Sequence, residues 1–397
     1  MRSLEFLDAD YLSDPWKLYR DFRRERPVWW SERIRMFCVF RFEDVRAVLK
    51  DPRFTVEFPF RVSEQVFGRT LLDMDGPEHQ RQRRLLVPLL SQENLEAFES
   101  EALHPTIEQL MAPLASERRF DFMSRVAERV PVLAICRFLG LPTTDEAWVR
   151  QQMTQLIAHL DDSKGKFAEL KQAHERLKAW LSQKTERLES QGSSRPGFRR
   201  LIDEIGGEDS ETKLSLYFLF LAAGIQTSVC LLGNAVVVLS RYPEWFEKLA
   251  KEPRRSRPIL EEVLRLEPVQ QDTVRFATED VLLAGTRIRK GQAVKLMLAS
   301  AGRDETVYSH PNQFDPERRP GRGLPFSVGT HACIGKRFAL MEAELVLREL
   351  WRSCGPVELE SSSSTTISGA AFRRPRELPV IASRTKLQRA NNMTEVE

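Results

Sequence analysis

The stretch FSVGTHACIGKRFA, residues 326–339, sets Cys333 between Gly329 and Gly335 and directly ahead of an amphipathic helical pattern. A thiolate there would lie near the backbone amides of a helix start, which favour negative charge and help keep a sulfur ligand deprotonated. The flanking glycines would let the backbone approach a flat cofactor. A structural free thiol is the plain alternative. The other four cysteines, Cys38, Cys136, Cys230 and Cys354, stand in apolar or mixed surroundings and show no zinc-type or redox-type spacing. They read as packing residues in a reducing cytoplasm.

Taken whole, the segment matches F-x-x-G-x-H-x-C-x-G-x-x-x-A and resembles the signature of the cytochrome P-450 family, whose haem iron is held by a cysteine thiolate. The resemblance extends over nearly the whole chain. It implies a mainly α protein with small β-sheets, a triangular helical body with haem b (iron protoporphyrin IX) between a long central helix and the cysteine loop. Cys333 becomes the metal ligand, with Phe326, Gly335 and Ala339 as further cofactor-binding positions. Glu262 and Arg265 match the family's E-x-x-R helix, and Arg318 in FDPER (314–318) matches the arginine that joins that pair in supporting the loop. By family position, His79, Arg83, Arg275 and His331 resemble haem-propionate clamps, since buried propionates need cationic or hydrogen-bonding partners. The family's A-N-R-D is Ala-Gly-Arg-Asp here, residues 301–304.

Further outward, residues 214–240 carry no charge at all, so by length they qualify as a membrane span. Gly224, Gln226, Thr227, Ser228 and Asn234 in the middle argue instead for a buried helix. Its segment 223–228, AGIQTS, resembles the family's oxygen-activating A-G-x-[D/E]-T-[T/S]. Small Ala223 and Gly224 leave room for dioxygen, and Thr227 and Gln226 stand at the catalytic positions. The family's acid is replaced by Gln226, whose amide has no carboxyl proton to deliver. Three readings follow: water organised by Gln226 and Thr227 suffices; the substrate supplies an acidic group; or the enzyme runs altered haem chemistry, using peroxide or rearranging its substrate.

By the same resemblance a mainly apolar pocket is lined by Phe58, Phe60, Val66, Phe67, Leu219, Ala223, Val269, Val274 and Phe372, with Gln270, Gln271 and Asp272 orienting. Apolar residues at such places are also ordinary core. The expected activity is hydroxylation or epoxidation of an apolar small molecule, free or tethered to a carrier protein, in bacterial specialised metabolism. Electrons from NAD(P)H would come through a ferredoxin reductase and an acidic ferredoxin, docking on Arg81, Arg84, Lys336 and Arg337. A rival from another class is a haem-binding or carrier-docking protein with little turnover.

The 397 residues are 42% hydrophobic and 29% charged, enough for a large core, and no linker-like stretch divides them. One domain over 1–386 and a frayed tail over 387–397 are expected, in a monomer. A net charge of +3 without a basic tract gives no support to nucleic-acid binding. The acidic N-terminus holds no signal-length apolar run, so no membrane anchor is expected. Helical periodicity covers 85–103, 105–118, 123–139, 144–162 and 165–191. Strands are expected at 34–41 and 281–297, the latter bent by a glycine turn, with surface turns at Gly206, Gly207 and 361–366.

Overall fold

The computed structural model describes residues 8–58, 64, 67–161, 167–191, 205–318, 323–360 and 365–383. The expected tail, most of the 361–366 turn, and the pocket candidates Phe60 and Val66 lie outside the described residues.

A helix of 30 residues, Ser210–Leu239, forms the axis. The Asp209 side chain caps it by accepting from the amides of Glu211 and Thr212 at 2.9 Å each, and Gly206 and Gly207 form the turn before it. The helix is long and apolar enough to cross a membrane, yet 78% of that apolar window is buried inside the protein. Asn234 is buried; its Nδ2 donates to the Glu267 carbonyl at 3.2 Å and to the Arg373 carbonyl at 3.0 Å, while its Oδ1 has no partner among the described residues. Around this axis pack Val130–Phe138, Glu146–Asp161, Phe167–Gln191, Pro253–Leu266 and Lys336–Cys354. Each buried Leu, Val or Phe of that core contributes about 1.5–3 kcal/mol.

Proline sets several boundaries that periodicity alone runs through. The pattern expected over 85–103 divides into the end of Gly76–Leu86, a short turn opened by Pro88, and Gln92–Phe98 followed by a π-helical turn. The pattern over 105–118 ends as His104–Met111, with Pro113 opening a separate turn.

Strands β1 (Val28–Ser31), β2 (Met36–Val39), β3 (Phe54–Thr55), β4 (Arg119–Asp121), β5 (Thr273–Ala277), β6 (Val281–Leu283), β7 (Thr286–Ile288), β8 (Ala293–Leu296), β9 (Val357–Leu359) and β10 (Pro379–Ala382) form three sheets, ordered β1-β2-β8-β5-β3, β4-β10-β9 and β6-β7. Strand β2 pairs with β8 in parallel, Phe37 opposite Val294, although more than half of the chain separates those two. The stretch expected as two arms over 281–297 is three strands in two sheets. Ala284 and Gly285 make the β6–β7 turn with φ of 45° and 79°, the left-handed pair that two-residue hairpins require.

Candidate active site

The cysteine loop is held in shape by its own backbone and by one arginine. The Cys333 amide donates to the Phe326 carbonyl at 2.8 Å, closing the loop, and the Ala339 amide donates to the Gly335 carbonyl, starting Lys336–Cys354. Arg83, on Gly76–Leu86, donates from Nη2 to the Ala332 carbonyl at 2.8 Å. Gly329 has a φ of 80°, and a Cβ there would stand 2.6 Å from the Leu49 carbonyl oxygen. This glycine serves close packing against helix Phe42–Lys50, not the approach of a cofactor. Gly335 is different, since a Cβ there would touch the Cys333 sulfur at 3.9 Å.

Cys333 is exposed while Cys38, Cys136, Cys230 and Cys354 are buried. Its close surroundings nevertheless push the thiol up, and the amides of Gly335 and Lys336 with the charges of Arg83 and Lys336 offset only part of this. The helix start therefore does not by itself hold a thiolate. A cation bound at the sulfur would supply the remainder.

On Pro253–Leu266, Glu262 and Arg265 form a bidentate pair at 2.7 Å, both nearly removed from solvent. Arg318 reaches the same carboxylate at 3.1 Å, and the Asp315 amide at 2.9 Å. Arg265 also donates to the carbonyls of Gly302, Pro311 and Gln313. Glu262, Arg265 and Arg318 are thus one network clamping 302–318. The glycine of Ala-Gly-Arg-Asp has its reason here, because a Cβ on Gly302 would meet the Arg265 carbonyl oxygen at 2.9 Å.

The four propionate candidates differ. His79 is buried, its Nδ1 has no partner among the described residues, and burial, His331 and Arg83 together lower its pKa. Its ring lies 4.4 Å from that of His331. His331 is engaged by Asp75, Nε2 to Oδ1 at 2.7 Å. Burial acts to raise the Asp75 carboxyl, but hydrogen bonds from His331, Thr55 and the Val56 amide hold it below the usual carboxylate range. Arg275 is buried, and its Nη1 donates to Thr273 Oγ1 and the Val274 carbonyl. An accessible soft ligand at Cys333, an unpartnered buried nitrogen at His79 and the Arg83 guanidinium fit an iron porphyrin with acidic side arms.

On the central helix, Ala223 is exposed in the midst of buried neighbours, and Gly224, Gln226 and Thr227 are partly so. Thr227 Oγ1 donates to the Ala223 carbonyl at 2.7 Å. Two contacts at this strip bear on those roles. A Cβ on Gly224 would lie 2.7 Å from Ile135 Cδ1, so the absence of a side chain here makes room for the neighbouring helix. Gln226 donates to Cys230 Sγ at 3.7 Å, which turns its amide along the helix instead of toward Thr227.

Of the pocket candidates, Phe67, Leu219 and Val269 are buried core, while Phe58, Ala223, Val274 and Phe372 keep accessible surface. Phe58 stacks on Phe276 at 4.2 Å between ring centres. Asp272 is bound by Lys295 at 2.6 Å, and Gln271 is buried with its amide on the Pro268 carbonyl, so of the three polar candidates only Gln270 is exposed. On the basic face, Arg81 is paired with Glu78 and Glu208, and Lys336 with Glu261. Arg84 and Arg337 are exposed and make no ion pair among the described residues.

Sequence reasoning missed Asp75, Ser228 and Glu342. Glu342 had a signal: it stands four residues after Phe338 and three before Leu345, on the apolar stripe of its helix, where an acid is out of place.

A sequence model of the family described as Cytochrome P450 matches residues 147–363. Cytochrome P450 monooxygenase PikC of Streptomyces venezuelae is 30% identical over 377 residues, 90% of this chain and 88% of that protein. Among solved structures, epothilone D-bound cytochrome P450epoK superimposes with a TM-score of 0.87 at 26% identity, covering 97% of this chain and 100% of that one. P450BioI in complex with hexadec-9Z-enoic acid-ligated acyl carrier protein gives 0.85 at 25% identity, over 94% and 100%.

Proposed function

The chain belongs to the cytochrome P450 family and is a haem monooxygenase, and from that premise we propose that it hydroxylates or epoxidises a mostly apolar small molecule of bacterial specialised metabolism. The observation that carries the reading is the accessible strip of Ala223 and Thr227 in the mostly buried middle of the central helix, in a protein with one accessible cysteine.

Cys333 would ligate the iron, with His79 and Arg83 on the propionates and the Glu262–Arg265–Arg318 network stiffening the chain around them. When bound, thiolate-ligated haem supplies dioxygen activation and the transfer of one oxygen atom to substrate. The chain's own residues then orient the substrate and manage protons. The Ala223 methyl keeps the strip narrow. Thr227, donating to the Ala223 carbonyl, keeps its hydroxyl oxygen free to accept a hydrogen bond from water while its own proton is fixed. Phe58, Val274 and Phe372 offer apolar surface that binds substrate and excludes water, and Gln270 offers a polar contact. Electrons would arrive from NAD(P)H through a reductase and an acidic ferredoxin docking at Arg84 and Arg337. Free cysteines, four of them buried, support a cytoplasmic location.

The P450BioI complex supports a second reading, in which the substrate arrives tethered to a carrier protein. Titrating ferric protein with terpenes, steroids, fatty acids, macrolactones and carrier-bound acyl or aminoacyl groups, while following the haem absorption band, decides between them. A shift with a free apolar molecule followed by its oxidation is expected. Response to carrier-bound ligands alone favours the tethered reading, and bound ligand without reductant-dependent turnover overturns the monooxygenase assignment.

A further inference from the structure

We propose that the cleft where the central helix ends is a second small-molecule site, which takes an aromatic carboxylate and holds its charge between Arg241 and Arg303 and its ring against Trp16, Val238 and Leu266.

Four segments meet around this cavity of about 260 Å³: the start of Trp16–Glu25, the end of the central helix, the end of Pro253–Leu266 and the stretch 302–318. No residue assigned above to haem, oxygen or substrate lines it. Its volume suits one ring with a carboxylate, below the usual size of a site for a drug-sized ligand. The walls are fixed from behind. Asn234, one turn before Val238, donates to the Glu267 carbonyl at 3.2 Å, and Tyr242 stacks on Phe314 at 4.8 Å between ring centres.

The cavity gathers arginine. Arg303 is 8% exposed, and its guanidinium lies 3.6 Å over the Trp16 ring. Nε and Nη2 donate to the Leu266 carbonyl, Nη2 also to Glu267 at 2.9 Å, and Nη1 to Asn312 Oδ1 at 3.2 Å. The second Nη1 hydrogen has no acceptor among the described residues, so Arg303 can still donate to a ligand. Arg373 is 2% exposed and stands 5.6 Å from the same ring. Its Nη atoms donate only to carbonyls, and its Nε has no partner among the described residues. Arg241 lines the cavity, is exposed and makes no ion pair among the described residues.

Two acids act against these three cations, which leaves one positive charge unmatched. Glu267 is paired with Arg303, and burial pushes its carboxyl up against the pull of Arg303, Arg373 and Arg241, which weakens its negative charge. Asp14 acts from the edge, where its carboxylate accepts from the Trp16 amide at 3.2 Å. Burial lowers the Arg303 pKa to about 10, with Arg265 and Arg373 adding to the fall and Glu267 and Asp14 opposing it. A buried guanidinium under that pressure is stabilised by one more anion beside it. Two aromatic side chains, Trp16 and Tyr242, and the apolar surface of Val238 and Leu266 favour a ring over a bare anion.

The test titrates benzoate into haem-loaded wild type, Arg241→Gln, Arg241→Lys and Trp16→Phe by ligand-observed nuclear magnetic resonance, with benzamide and acetate as comparison solutes. Ferric protein and reduced, carbon monoxide-bound protein are both used, and the haem absorption band is followed. Wild type is expected to bind benzoate with the same affinity in both forms and without a shift of the haem band, and to bind benzamide and acetate at least about 10-fold more weakly. Arg241→Gln weakens benzoate binding about 10-fold and, its side chain being exposed, leaves the melting temperature and haem content unchanged. Arg241→Lys recovers part, since it keeps the charge and loses the fork. Trp16→Phe keeps a ring and weakens binding several-fold. Arg303 is left intact because it anchors the Leu266 carbonyl. Absence of binding, binding that disappears in the carbon monoxide form, or an affinity that Arg241→Gln leaves unchanged overturns the proposal. Acetate or benzamide bound as tightly as benzoate overturns the assignment of an aromatic carboxylate.

Discussion

Glu262 and Glu342 sit on helices that pack against each other, 5% and 1% exposed, and their surroundings differ in kind. Glu262 accepts from Arg265, Arg318 and the Asp315 amide, so its charge is fully matched and its role is to tie segments together. Glu342 has only a serine hydroxyl nearby and keeps its proton. A buried carboxylate with a complete set of donors keeps its charge and ties segments together; a buried carboxylic acid beside a lone hydroxyl is held neutral. The same contrast separates the cysteine loop and its scaffold, where polar groups are anchored, from the central helix, where Ala223 and Thr227 remain accessible.

Removing one partner from the matched network has the largest expected effect. Arg265→Ala leaves the Glu262 charge buried and exposes carbonyls of 302–313 to loss of their donor, at a cost of about 3–5 kcal/mol. Thermal melts and haem content are expected to fall together, and a variant that folds and loads haem normally would break the distinction between the two glutamates.

Glu342→Gln is expected to act with the opposite sign on stability. The unfolded chain loses the Glu342 proton near its ordinary value of 4.5, whereas the folded protein holds it to about 8. Below pH 4.5 both states are protonated and wild type has its full stability. As the pH rises through this window, wild type loses stability relative to Glu342→Gln, by at most about 1.4 kcal/mol per pH unit crossed, and the difference levels off above about pH 8. Denaturation midpoints at pH 5 and pH 8 check it; a difference that does not grow with pH means that the acid has a hidden partner.

How much of the fold and the site is legible in the sequence depends on whether a residue's role is local. The cysteine loop, the Glu262–Arg265 spacing and the AGIQTS segment are contiguous patterns, and their positions are readable. What faces each side chain is not. Gly224 reads as room for a ligand, yet Ile135 from a distant segment occupies that space. Gln226 reads as an organiser of water beside Thr227, and its amide contacts Cys230 one helical turn on. Strands β1, β3, β4, β9 and β10 are two to four residues long and take their identity from partners elsewhere in the chain, as Trp29 does from Cys38 and Val380 from Phe120 and Leu359. Periods of 2 cannot register in such short runs. Pro88 and Pro113 are plain in the sequence, and their missing amide hydrogen is reason enough to divide the helices there, with Val87 and Ala112 before them still helical.

Gly224→Ala sharpens the reading of the central helix. Its new methyl collides with Ile135, so a loss of about 1–3 kcal/mol is expected, recovered in part by Ile135→Val. No loss in the melting temperature would mean that Ile135 yields to the new methyl. Smallest in stability is Thr227→Ala, expected within about 0.5 kcal/mol of wild type. Its effect is expected in coupling, as several-fold more hydrogen peroxide per reductant consumed; an unchanged peroxide yield would mean that this hydroxyl is idle.

All of this depends on Cys333 being the iron's ligand. The absorption spectrum of the reduced, carbon monoxide-treated protein tests that directly. Wild type is expected to show the long-wavelength haem band of thiolate ligation, and Cys333→Ser to lose it while keeping the folded helical signal. A Cys333→Ser protein that retains the band, or a haem-loaded wild type that never shows it, would contradict the account.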